Sequence, residues 1–146
     1  MQIRVYYEDT DCGGIVYHAS YIKYCERARS EKFFTAGLIP AVPNSGFVVR
    51  SLNATFIGSA TLGDTLEVQT QITQAKNVSV LLHQEIYKIS QLSQNPSEMP
   101  IYQTPTHKTA PTKIFEMDVK LGYIDFTTSH PTPIPKKFLE VFNAKQ

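Results

Sequence analysis

The stretch Tyr6–Phe34, YYEDTDCGGIVYHASYIKYCERARSEKFF, decides how the rest of the chain is read. It opens as a strand, passes the acidic run Asp9-Thr10-Asp11, and turns through Gly13-Gly14. Ile15-Val16-Tyr17-His18 follow, and a helix begins. A carboxylate, an imidazole and a helix amino terminus therefore fall within eight residues. The first N–H groups of a helix lack partners inside it and carry partial positive charge, so they attract an anion or a polarised carbonyl oxygen. An electrophile activator thus stands beside a base or nucleophile, the combination of an active site.

Working outward, Ile3, Val5 and Tyr7 alternate with Arg4, Tyr6 and Glu8, the period of a half-buried strand. From about Ala19 to Thr35 a helical stripe of Tyr21, Cys25 and Ala28 is flanked by Ile22, Tyr24 and Phe33. Lys23, Glu26, Arg27 and Ser30 fall opposite, while Arg29 and Lys32 intrude on the apolar arc. Ser20 is the expected amino cap, Gly37 the expected stop, and Pro40 and Pro43 prevent continuation. Strands follow. In about Phe47–Ile57, Val48, Leu52, Ala54 and Phe56 share one parity. Gly63-Asp64 marks a turn, after which Leu66, Val68, Thr70 and Ile72 alternate with polar residues. A turn at Lys76-Asn77 leads to Val78, Val80, Leu82 and Ile86, and a last strand carries Phe115, Met117, Val119, Leu121 and Tyr123. The stretch from Ser90 to Thr112, with Pro96, Pro100, Pro105 and Pro111, is expected to be a loop and not a central strand. The closing HPTPIPKKFLEVFN predicts a short helix docking Phe138, Leu139 and Phe142. One helix against about five strands predicts an α+β fold, an antiparallel sheet wrapped on the helix, as one domain over residues 1–146.

Composition bounds the function. The 146 residues carry a net charge of +1, which gives no support to a nucleic-acid footprint. Cys12 and Cys25 lack the spacing of a zinc site, and Glu8, Asp9 and Asp11 are poorly spaced for a metal, so no metal and no cofactor is expected. The chain opens without a signal-like segment and has no stretch of membrane-spanning length, so a cytoplasmic protein is expected, peripheral membrane association being left open.

Tyr7, Asp9, Asp11, Gly14, Tyr17, His18, Tyr21, Glu26, Ala28 and Arg29 form the pattern Y-x-D-x-D-x-x-G-x-x-Y-H-x-x-Y-x-x-x-x-E-x-A-R. This resembles the 4-hydroxybenzoyl-CoA thioesterase family, in its YbgC branch, where the tyrosine is followed by histidine. The resemblance is dense over residues 4–34. It implies a hotdog fold: one long helix wrapped by a curled antiparallel sheet and paired with a second subunit. It also implies metal-independent hydrolysis of acyl-CoA thioesters and a link to acyl carrier protein and the Tol–Pal system. By position, the catalytic carboxylate matches Asp11, and the branch histidine matches His18, whose N–H polarises the thioester carbonyl. Tyr7 matches a tyrosine near the site, and Gly14 and Tyr17 join His18 as substrate-contacting residues. The alternatives are a non-catalytic acyl or acyl-carrier-protein binding module, or a dehydratase on the same scaffold.

Other residues receive plainer expectations. Asp9 is expected to bond the N–H groups of its own turn. Cys12 sits among carboxylates that disfavour a thiolate, which argues against a nucleophile. Glu26 and Arg29, three apart on a helix, suggest an ion pair. His83 is assigned to a strand surface and His107 to a loop. Arg50, Lys88, Lys108 and Lys113 are the candidates for holding coenzyme A phosphates. A homodimer or homotetramer is expected, because a single curled sheet leaves an open edge.

Overall fold

The computed structural model describes residues 1–92 and 106–144. In chain order it contains β1 (Gln2–Arg4), a 3₁₀ turn (Tyr7–Asp9), α1 (His18–Thr35), β2 (Ala41–Val42) and β3 (Ser45–Phe56). β4 (Thr65–Ala75), β5 (Ser79–Leu92), β6 (Thr106–Asp125) and α2 (Lys136–Asn143) complete it. The strands form one antiparallel sheet in the order β1-β4-β5-β6-β3-β2. The α+β architecture with a long helix on a curled sheet is as expected; the sheet has six strands instead of about five, through the two-residue β2.

The core follows the predicted stripe. Tyr21, Cys25 and Ala28 are buried, with Tyr24 and Phe33 beside them. They meet alternate residues of the sheet, among them Leu66, Val68, Leu82, Ile86, Phe115 and Met117, all buried. Tyr21 stacks on Phe115 at 5.4 Å between ring centroids, and Phe33 receives the edges of Phe138 and Phe142 from α2 at 5.2 and 5.1 Å. Aromatic pairs in these geometries add to the burial of their area. α1 ends as predicted at Gly37, whose φ of +71° is open to glycine. The N–H groups of Gly37 and Leu38 return to the carbonyls of Phe34 and Phe33, a Schellman close.

Four local expectations need correction. Tyr7 is not in β1, which ends at Arg4; the Asp9 carboxylate accepts the Tyr6 N–H at 2.9 Å and winds residues 7–9 into a 3₁₀ turn. α1 begins at His18 with Tyr17 as its cap, so Ser20 lies inside the first turn; its N–H bonds the Tyr17 carbonyl and its hydroxyl reaches back to the Asp9 carbonyl. In β3 the register shifts between Val49 and Ser51. That bulge reverses the parity, so Phe47 and Val49 face the helix with Leu52, Ala54 and Phe56, and Val48 does not. Finally, the flanks of the proline-rich stretch are strand. β5 runs to Leu92 and β6 starts at Thr106, so His107 pairs with Gln91 and is not in a loop. Pro111 falls where the register slips between the pairs Lys88–Thr112 and Ser90–Lys108, and β3 joins β6 only from Phe115 onward. A bulge without a second neighbour is where a residue lacking an N–H is tolerated in a sheet. Pro96, Pro100 and Pro105 lie outside the described residues. Among the described residues no helix is long and apolar enough to cross a membrane.

Candidate active site

The site is built on a small loop between the 3₁₀ turn and α1. Thr10 bridges Val16, the Asp11 N–H bonds the Ile15 carbonyl, and the Gly14 N–H returns to the Asp11 carbonyl at 3.0 Å. Closing that turn places Gly14 at a φ of +78°, where a side chain is strained. The loop is then tied to the body. Ile15 bridges Thr61, the Val16 N–H bonds the Ala60 carbonyl at 2.8 Å, and the Tyr17 N–H bonds the Asp9 carbonyl at 2.8 Å. Asp9 is buried and uses its carboxylate and carbonyl to hold both ends of the junction, as its structural reading requires.

A second support was not legible in the sequence. The Asp64 carboxylate is almost wholly buried and accepts the Thr61 N–H at 2.9 Å, with the Lys88 ammonium 3.3 Å away. It thereby fixes the turn against which the loop rests. The Tyr21 hydroxyl accepts the Ala60 N–H at 3.0 Å beside it, and burial raises the Tyr21 pKa. Gly63-Asp64 signals a turn, but no spacing tells that Lys88 and Tyr21 reach it.

On this frame Asp11 is exposed, and its Oδ1 accepts the Gly13 N–H at 2.8 Å. Its Oδ2 has no hydrogen bond among the described residues. His18 is the first residue of α1 and is also exposed. Its ring lies 4.3 Å from that of Tyr17 and meets the edge of Phe56 from β3 at 6.3 Å. The N–H groups of His18 and Ala19 have no acceptor among the described residues, whereas those of Tyr17 and Ser20 are taken. Asp11, Gly14, Tyr17 and His18 are thus gathered within one loop and one helix start. Tyr7 is 81% exposed, and its side chain makes no hydrogen bond or ring pairing among the described residues. Cys12 is exposed, while burial pushes the Cys25 thiol up to about 12.

Other expected contacts are replaced. Arg29 does not pair with Glu26: its Nη1 donates to Gln84 Oε1 at 2.6 Å, and Glu26 accepts the Ser30 hydroxyl instead. Gln84 is fully buried and spans the helix–sheet gap, donating to the Cys25 carbonyl and to Thr70. A polar residue on the buried parity of β5 was the sequence signal for this link. Among the coenzyme A candidates, Lys88 is engaged by Asp64 and Lys113 by Glu85 and Glu116, at 2.8 and 2.9 Å. Arg50 is exposed and lays its stem over Gly122, where a Cβ would come within 3.1 Å. The Lys108 side chain lies outside the described residues. On the outer face of the sheet, His83, Glu85 and Glu116 bring potential metal-ligand atoms within 4.8 Å of one another, and the Lys113 ammonium already pairs with both carboxylates.

Comparison with known proteins shows the family to which the chain belongs. Residues 13–93 match the profile of the thioesterase superfamily. The chain is 45% identical over 144 residues to a Helicobacter pylori protein named acyl-CoA thioesterase YbgC, covering 99% of both chains. It is 41% identical over 101 residues to an Escherichia coli protein named acyl-CoA thioester hydrolase YbgC, covering 66% of this chain and 75% of that one. The fold superposes with a TM-score of 0.78 on a Synechocystis 1,4-dihydroxy-2-naphthoyl-CoA thioesterase, at 19% identity over 98% of this chain and 93% of that one. With a curled sheet on a long helix, a profile match across more than half its length and a full-length relative at this identity, the chain belongs to the thioesterase superfamily.

Proposed function

We propose that this protein is an acyl-CoA thioesterase, hydrolysing the thioester to a free acid and a thiol, with Asp11 and the start of α1 as its reaction centre. The observation that carries this reading is the pair of unclaimed N–H groups at His18 and Ala19 beside a carboxylate with one free oxygen. A thioester carbonyl directed at those donors gains negative charge as it is attacked. Donors already fixed by the helix stabilise that charge without reorganising, an effect worth on the order of 3 kcal/mol per donor in other enzymes. Asp11 then takes a proton from water, or attacks to form a mixed anhydride that water opens. Its bond from Gly13 holds the carboxylate in place and leaves Oδ2 for this work. His18 orients the water or the thioester, Tyr17 and Gly14 border the carbonyl, and Tyr7 stands near the site on the 3₁₀ turn. The thiolate is a fair leaving group, so a strong acid is not required. An acyl carrier protein offers the same pantetheine thioester and is a second substrate form.

The exposure of Asp11, His18 and Phe56 supports a homodimer as the working unit. β3 has β2 on its outer side only at Ser45 and Gly46, leaving an open edge along the rest of its length. Val49, Leu52 and Phe56 beside that edge are about half exposed. A second copy joining there would cover them and exclude water from the site. The test is release of free thiol from acyl-CoA substrates of several chain lengths, followed with a thiol-reactive dye. Steady thiol release is expected; none at any length would leave a binding module as the better reading.

A further inference from the structure

A cavity of about 200 Å³ lies along α1 beyond the reaction centre, walled by Phe33, Pro40, Phe47, Val49, Leu121 and Phe142. One cation, Arg29, lines it. We propose that this cavity receives the far end of the acyl chain and that Arg29 selects chains ending in a carboxylate. The proposal rests on the thioesterase reading and specifies its substrate class.

Arg29 is partly buried, yet its hydrogen-bond partner is the neutral amide of Gln84. No carboxylate lies within ion-pair distance of it among the described residues. Glu26, in the same cavity lining, acts on it only from beyond ion-pair distance. A cation partly withdrawn from water with no contacting counter-charge is costly, and an arriving anion reduces that cost. Gln84 occupies one nitrogen and fixes the guanidinium plane, leaving further N–H groups to form the paired contact that a carboxylate accepts. Largely apolar walls with one cation, and with Glu26 and Ser30 on one flank, suit an alkyl chain with one anionic end, and they suit a phosphate-rich group poorly. Glu26 lines the same cavity on its exposed flank, with Oε1 taken by Ser30.

The helix-facing residues of β3 between the cavity and the reaction centre are apolar. Phe56 touches the His18 ring, and Leu52 and Val49 continue along the helix-facing side of β3 into the cavity wall. Arg29 lies three helical turns past His18, about 16 Å along the axis, and its side chain leans back toward the helix start. That backward lean shortens the interval to about the reach of an extended ten-carbon chain.

The test compares decanoyl-CoA with the mono-CoA thioester of decanedioic acid. Wild type should favour the carboxylate-ended chain, and Arg29→Met should lower that preference in kcat/KM at least about tenfold while changing decanoyl-CoA hydrolysis little. Glu26→Gln should sharpen the preference. Free decanedioate should inhibit wild-type hydrolysis of decanoyl-CoA more strongly than decanoate does, a comparison that needs no variant to fold. A wild-type preference for decanoyl-CoA, an unchanged ratio in Arg29→Met, or equal inhibition by the two acids overturns the proposal. Loss of both activities in a folded Arg29→Met variant also overturns it, since Arg29 would then be structural. Failure of wild type on every acyl-CoA would instead overturn the thioesterase reading beneath it.

Discussion

Two polar regions of this molecule invite opposite readings although both are rich in charged groups. On the outer face of the sheet, His83 bonds Asp118, Lys113 bonds Glu85 and Glu116, and Tyr87 donates to Glu85. The cationic and donor groups there are each engaged by a carboxylate. At the start of α1 the backbone is pinned by hydrogen bonds to Asp9, Ala60 and Ile15, while the side chains of Asp11 and His18 stay exposed and two N–H groups lack acceptors among the described residues. A rigid frame with unmatched groups is the arrangement that has capacity for chemistry. The difference shows that a cluster of titratable residues is a poor guide to a site, and unsatisfied groups on a fixed backbone are a better one.

Asp11→Asn tests that comparison with the largest expected effect. Asparagine can keep the bond from the Gly13 N–H but supplies neither base nor nucleophile. Turnover should fall by about two to four powers of ten with the melting temperature little changed. Near-full activity in the folded variant would remove Asp11 from the mechanism. Asp64→Ala attacks the frame instead. It leaves the Thr61 N–H and the Lys88 ammonium without their buried acceptor, so unfolding should become easier by about 3 kcal/mol, measured by urea titration. A loss below about 0.5 kcal/mol would show that this anchor is not needed. Tyr21→Phe deprives only the Ala60 N–H of its partner and should cost about 1 kcal/mol by the same measurement.

Much of this frame was legible in the sequence, for physical reasons. Strand parity in β4 and β6 and the stripe Tyr21-Cys25-Ala28 each follow from burial on one face, which a local pattern records. Asp11 and His18 were legible because a turn and a helix start leave a dense local signature. The parity of β3 was misread because a bulge is a decision of the paired strands and leaves no mark in one of them. Arg29 looked like half of a helical ion pair because spacing sees only neighbours on the helix, whereas Gln84 comes from a strand 55 residues away. Asp64 was read as a turn residue for the same reason. Local chemistry is written locally, and contacts across the sheet are not.

The smallest expected effect belongs to the matched cluster. The hydrogen bond from His83 to Asp118, reinforced by Glu85, raises the His83 pKa above its ordinary value despite some opposing desolvation. Gln71 on β4 and Asp118 on β6 are its cross-strand neighbours, and Glu85 lies on its own strand, with Lys113 and Glu116 beyond. In the unfolded chain His83 returns to a pKa of about 6.5. The folded form therefore holds the proton more tightly, and this stabilisation is complete below the unfolded value. It is lost as pH rises through the raised folded value. Because Asp118 is more than half exposed, solvent screens the pair and the change is small. The melting temperature should decline slightly from about pH 6 to about pH 8, and His83→Gln should flatten that decline while leaving thioester hydrolysis unchanged. Equal declines in the two proteins would show that the His83 proton does not stabilise the fold. A loss of hydrolysis in His83→Gln would move the outer face into the chemistry and break the contrast between the two regions.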